Sequence, residues 1–99
     1  MSKRTTSDAW LLYVLRCRDG TLYCGITTDL DRRLAAHAAG KGARYTRGRG
    51  PLTLLRAWTL AGEGEARSAE ARFKQLTRRR KLRALADDIP PQKSRGPLS

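Results

Sequence analysis

Two short apolar, β-prone segments, Trp10 to Cys17 and Thr21 to Ile26, are separated only by Arg18, Asp19 and Gly20. So short a gap joins neighbouring antiparallel strands, which commits the start of the chain to a β-hairpin. Loop length then sorts the side chains, because a one-residue slip in register moves every side chain of a strand to the other face. A two-residue loop of Asp19 and Gly20 pairs Arg18 with Thr21 and sends Tyr13 and Tyr23 to opposite faces. A three-residue loop, with Gly20 as a bulge residue, puts both tyrosines on one face. The apolar pattern favours the longer loop. Leu12, Val14, Leu22, Cys24 and Ile26 then make one apolar face, and Tyr13, Leu15, Cys17, Thr21, Tyr23 and Gly25 make the other. In that register Gly25 leaves open space beside Tyr23, and Cys17 and Cys24 point to opposite faces and cannot bridge.

Beyond the hairpin, Thr28-Asp29-Leu30-Asp31 reads as a capping box opening a helix that runs to about Ala39, with Gly40 as its stop. Leu30, Arg33, Leu34, His37 and Ala38 share one face of it, so Arg33 and His37, a turn apart, can reach the tyrosine face of the hairpin. Gly40 to Pro51 is a basic, glycine-rich loop, and Leu52 to Leu60 is β-prone enough for a third strand. Glu63 to about Arg79 reads as a second helix and Arg80 to Ala86 as a short third one. The expected fold is α+β, a small three-stranded, largely antiparallel sheet in the order β-β-α-β-α-α, flanked by helices. Ninety-nine residues of which 39% are hydrophobic suffice for one small core. Residues 10–87 are expected to form it, with flexible tails at 1–9 and 88–99.

The formal net charge is +12. Each tail carries only +1, so +10 falls on the folded part. A polyanion suits such a surface, since each phosphate neutralised by Lys or Arg releases a condensed counterion. Lys41, Arg44, Arg47 and Arg49, with Tyr45 among them, form one cluster, and Arg78 to Arg83 form another. A solubilising surface without a specific partner is the plainer reading of the same charges. The longest apolar run, Ala9 to Leu15, is seven residues, against roughly 20 needed to span a bilayer, so a membrane is not an expected partner. No small-residue cleavage site follows that run, and a cytoplasmic location is expected. Two cysteines and one histidine cannot supply a four-ligand zinc site within one chain. The chain has no P-loop, no Ser-His-Asp constellation and no dinucleotide fingerprint.

Glu70 is the anomaly of the second helix. Ala66, Phe73 and Thr77 lie at helical spacing from it, and Ala69 and Leu76 belong to the same stripe, which puts a carboxylate among apolar neighbours. Such a group must lie at the stripe's edge, pair with Lys74 or an arginine, or hold a cation. Spacing leaves these readings open. Tyr13 and Tyr23 can equally be half-buried strand aromatics, and His37 a helix-end histidine favoured by the dipole.

Taken together, Leu11-Leu12-Tyr13, Tyr23-Cys24-Gly25, Arg33 with His37, Gly42 to Arg47, and Glu70 resemble the motif set of the GIY-YIG nuclease superfamily, in its small stand-alone bacterial subfamily. The resemblance runs from about Trp10 to Leu85. The first motif's glycine and isoleucine are leucines here, and the chain has no asparagine, though many family nucleases place one late in the domain. The resemblance implies a metal-dependent endonuclease acting on DNA, selective for structure rather than sequence. By position it assigns Glu70 as the single protein ligand of Mg²⁺ or Mn²⁺, Arg33 as donor to the scissile phosphate, Tyr13 as the group that orients or deprotonates water, His37 as its proton partner, and Tyr23 as a positioning hydroxyl. Lys41, Arg44, Tyr45, Arg47, Arg49, Lys74, Arg78 and Arg79 are the expected nucleic-acid contacts. No oligomer is required. A binding module without catalysis, or a small interaction protein of a nucleic-acid-processing complex, are the alternatives.

Overall fold

The structure is a computed structural model and describes residues 9–40 and 51–91. Its elements are β1 (Trp10–Arg16), β2 (Leu22–Thr27), α1 (Leu30–Ala38), β3 (Thr53–Leu60), α2 (Glu63–Gln75) and α3 (Arg78–Asp87). The sheet order is β2-β1-β3, with β1 in the centre and antiparallel to both neighbours. This is the α+β arrangement expected from the sequence.

The hairpin takes the longer loop. Cys17 N–H donates to Thr21 O at 2.8 Å and Gly20 N–H to Cys17 O at 2.9 Å, leaving Arg18, Asp19 and Gly20 as the turn. Gly20 has φ +89°, where a side chain would be strained. Asp19 Oδ1 accepts from both Thr21 N–H and Thr21 Oγ1, closing the turn from outside. The resulting register sets Tyr13 opposite Gly25 and Leu15 opposite Tyr23, so both tyrosines share a face. Cys17 and Cys24 are both buried and unbridged.

On the other face Leu12, Val14 and Cys24 join Trp58, Ala69, Phe73 and Leu85 in one core. Pairing of β1 with β3 shifts between Val14 and Leu15, so that Val14 faces Arg56 but Leu15 faces Leu54. The extra residue, Leu55, packs against the core. Phe73 is 1% exposed and anchors α2.

Several boundaries differ from the sequence reading. The N-cap of α1 is Asp29, not Thr28: Asp29 Oδ1 accepts from Arg32 N–H at 3.1 Å, while Asp29 N–H donates to Thr27 Oγ1. Helix α2 ends at Gln75 instead of Arg79, because Leu76 turns extended and Thr77 Oγ1 caps a new helix by accepting from Arg80 N–H. The third helix therefore starts at Arg78 and runs to Asp87. Asp88, expected to begin a loose tail, is instead bonded to the sheet. It adopts the left-handed conformation at the end of α3, accepts from Trp58 Nε1 at 2.9 Å and lies 3.6 Å from Arg56 Nη1. Arg56 Nε also donates to Leu85 O, so β3 and the end of α3 are tied by three polar contacts. Among the described residues no helix is long and apolar enough to cross a membrane.

Candidate active site

The face of the sheet opposite the main core carries the polar constellation. Asp29 starts α1 directly after β2, which aims Arg33 and His37 back across the hairpin. Tyr13, wholly buried on the central strand, meets both. Its hydroxyl lies 3.0 Å from His37 Nε2 and accepts from Arg33 Nε at 3.3 Å. Tyr13, Tyr23 and His37 form a triangle of rings, with centroids 6.3, 5.9 and 5.5 Å apart.

The surroundings fix the protonation states. Burial lowers the His37 pKa from its ordinary value near 6.5, and the Arg33 charge lowers it further, so the imidazole is neutral near pH 7. A neutral ring with Nε2 as acceptor takes the Tyr13 O–H as a hydrogen bond, and Arg33 fills an acceptor position of the same oxygen. Burial raises the Tyr13 pKa above 10.0, and the Arg33 hydrogen bond opposes the rise. Tyr23 is raised as well, first by burial; Arg33 opposes this and the charge of Glu70 adds to it. Glu70 on α2 and Tyr23 on β2 are thus within electrostatic reach at the open edge of the sheet.

Glu70 sits at the margin of its stripe, with a side chain 23% exposed beside the buried Ala66, Ala69 and Phe73. Its Oε2 is 3.2 Å from Lys74 Nζ, so the pairing that helical spacing allows is made. No group of three or more His, Cys, Asp or Glu converges among the described residues. A hard divalent cation that keeps most of its waters needs only one carboxylate, and the edge position of Glu70 fits such an ion.

Gly25 was expected to leave space beside Tyr23. The space is filled by Tyr13: a Cβ at Gly25 would lie 2.7 Å from the Tyr13 hydroxyl and 2.9 Å from its Cζ. The register that joins the two tyrosines already pairs Gly25 with Tyr13, so this close approach was available from the sequence. Of the expected nucleic-acid contacts, Arg78 donates to Gly20 O at 3.2 Å, tying α3 to the hairpin turn. Arg79 lines an open groove of about 470 Å³ with Thr77, Arg80 and Arg83. Lys74 lines a second cavity together with Lys81, which the sequence reading did not place at the site. Lys41, Arg44, Tyr45, Arg47 and Arg49 lie outside the described residues.

Residues 9–83 match the family model described as the GIY-YIG catalytic domain. A UPF0213 protein of Nitratidesulfovibrio vulgaris is 48% identical over 86 residues, 87% of this chain and 78% of its own. UPF0213 protein BH0048 of Halalkalibacterium halodurans is 51% identical over 70 residues, 71% and 74% of the two chains. The solution NMR structure of UPF0213 protein BH0048 from Bacillus halodurans aligns with a TM-score of 0.54 at 46% identity, covering 79% of this chain and 83% of that one. The solution NMR structure of EF2693 from E. faecalis aligns at 0.60 with 32% identity, covering 91% and 97%. The family model spans most of the chain, and the chain belongs to the GIY-YIG nuclease superfamily, among the small single-domain bacterial proteins of the UPF0213 group.

Proposed function

We propose that the protein is a cytoplasmic, metal-dependent endonuclease that hydrolyses phosphodiester bonds in DNA and selects structure rather than sequence. The observation that carries this reading is the Tyr13 hydroxyl held between a neutral His37 and a cationic Arg33. A Mg²⁺ or Mn²⁺ ion on Glu70 would polarise the scissile phosphate and stabilise the leaving oxygen. The chain's own groups do the rest. As Tyr13 hands its proton to His37 Nε2, its oxygen takes one from the attacking water, and the hydroxide so formed attacks phosphorus while the P–O bond to the leaving strand breaks. Arg33 holds the Tyr13 oxygen through Nε, and its guanidinium charge would stabilise the non-bridging oxygens. Tyr23, with its pKa raised, stays protonated and can donate to phosphate or water. One chain supplies all these groups, so a dimer is not required. Arg79, Arg80 and Arg83 offer a basic groove for a flanking strand.

The test is incubation with end-labelled single-stranded, duplex and branched DNA in Mg²⁺, Mn²⁺ or EDTA, beside Glu70→Ala and Tyr13→Phe. Cleavage that needs metal and both side chains supports the reading. A folded, DNA-binding protein that never cuts overturns it in favour of a binding module. The Glu70–Lys74 pair is the observation that favours that second reading, because the carboxylate already has a counter-charge.

A further inference from the structure

A cavity of about 300 Å³ opens at the free edge of β2, lined by Leu22, Tyr23, Cys24, Phe73, Lys74 and Lys81. Its wall is apolar. Phe73 and Cys24 are almost fully buried and form the floor, and Leu22 and Tyr23, half-buried, form the accessible side. The two charged residues of the lining are both lysines, on successive helices. The Lys81 ammonium lies 5.6 Å from the centre of the Phe73 ring, so it is parked over the floor instead of extending into solvent. Burial pushes the Cys24 thiol up to about 11, which keeps that part of the wall uncharged.

The cavity borders the proposed catalytic edge on two sides. Tyr23 belongs to both, and Lys74 pairs with Glu70 one helical turn away. A strand whose scissile phosphate lies against Tyr23 and Glu70 must place an adjoining nucleotide beside this opening. We infer that the pocket receives the base of one unpaired nucleotide next to the scissile phosphate, with Lys74 and Lys81 on the neighbouring phosphate. The inference rests on the DNA-nuclease reading and deepens it: the substrate is DNA with at least one unstacked nucleotide at the cut site. The volume is at the lower end of the range for ligand clefts, about 300–1,000 Å³, and is enough for one base. An apolar wall with an aromatic ring and cationic rim is the chemistry that holds single-stranded bases without reading their sequence.

The full chain, labelled with ¹⁵N, is titrated in EDTA with single-stranded tetrathymidylate and with a short blunt duplex. Tetrathymidylate is expected to shift the amides of Leu22, Tyr23, Cys24, Phe73 and Lys74 saturably, and the duplex to leave them largely in place. Lys81→Ala is expected to weaken tetrathymidylate binding about tenfold, with Lys81→Arg restoring most of it. Unmoved Leu22 to Cys24 amides, equal shifts from the duplex, or unchanged affinity in a folded Lys81→Ala would each overturn the inference. EDTA separates the two readings. A protein that never cuts DNA still reports on the pocket, and cleavage without these shifts removes the pocket while the nuclease reading stands.

Discussion

The aromatic ring of Tyr13 lies directly over the backbone of Gly25, its partner across the hairpin, with room for a hydrogen and no room for a methyl group. Both residues are buried, so the ring cannot swing away cheaply. Gly25→Ala should therefore displace the Tyr13 hydroxyl from His37 and Arg33. The expected result is at least a tenfold loss of cleavage with an overpacking cost of about 1–3 kcal/mol. Thermal unfolding and initial rates, measured on the same preparation, check both halves. A Gly25→Ala protein with full activity would detach the glycine from the site.

The lowered His37 pKa gives a signed pH dependence. If neutral His37 accepts the Tyr13 proton, kcat/KM rises with pH through the folded His37 pKa, below 6.5, and is level above it. Tyr13, raised above 10.0, adds no alkaline limb below pH 10. Stability follows the same direction. The unfolded histidine binds its proton first, near 6.5, so the folded state loses stability as pH falls from there to the folded pKa. His37→Gln should flatten the acidic limb of both profiles. An unaltered limb in that variant would assign it to another group.

Lys74 competes with a cation for Glu70. An exposed pair of this kind is worth about 0.2–1 kcal/mol. Removing it by Lys74→Ala should tighten Mn²⁺ binding by up to about fivefold, and Glu70→Gln should abolish saturable binding. Calorimetry of the metal alone reads this without any DNA. Equal Mn²⁺ affinity in wild type and Glu70→Gln would move the ion elsewhere.

Asp88 should matter for stability and not for chemistry. Asp88→Ala deprives Trp58 Nε1 and Arg56 of their partner, at an expected cost of about 1–3 kcal/mol, or a fall in Tm of several degrees. Cleavage per folded molecule should be unchanged at low temperature. A selective loss of activity would instead connect the end of α3 to the site.

How much of this was legible in the sequence depends on whether neighbours along the chain or across space decide the question. The hairpin register was legible because a slip would have buried Thr21 and Tyr23 in place of Leu22 and Cys24. Arg33 and His37 were legible as a pair because a helix puts i and i+4 on one side. The break between α2 and α3 was not, since Lys74 to Arg83 is helix-prone throughout and only the Thr77 side chain tips the balance. Asp88 was missed for a different reason. Its partners, Trp58 and Arg56, are about thirty residues away, and no local pattern announces them. Lys81 likewise reaches the cavity beside β2 only through tertiary packing, which sets its ammonium over the Phe73 ring.

The turn at Arg18, Asp19 and Gly20 is an exposed surface loop of the kind that ordinarily tolerates a residue more or less. Here the pair that closes it, Cys17 with Thr21, sets the register of the whole hairpin. Deleting Asp19 would leave Arg18 and Gly20 as a two-residue loop that can still pair Cys17 with Thr21 and keep Tyr13 and Tyr23 on one face, whereas re-pairing Thr21 with Arg18 would part the tyrosines with every side chain still present. The closing pair Cys17–Thr21, two residues that carry no chemistry, thus decides whether the two tyrosines meet at all.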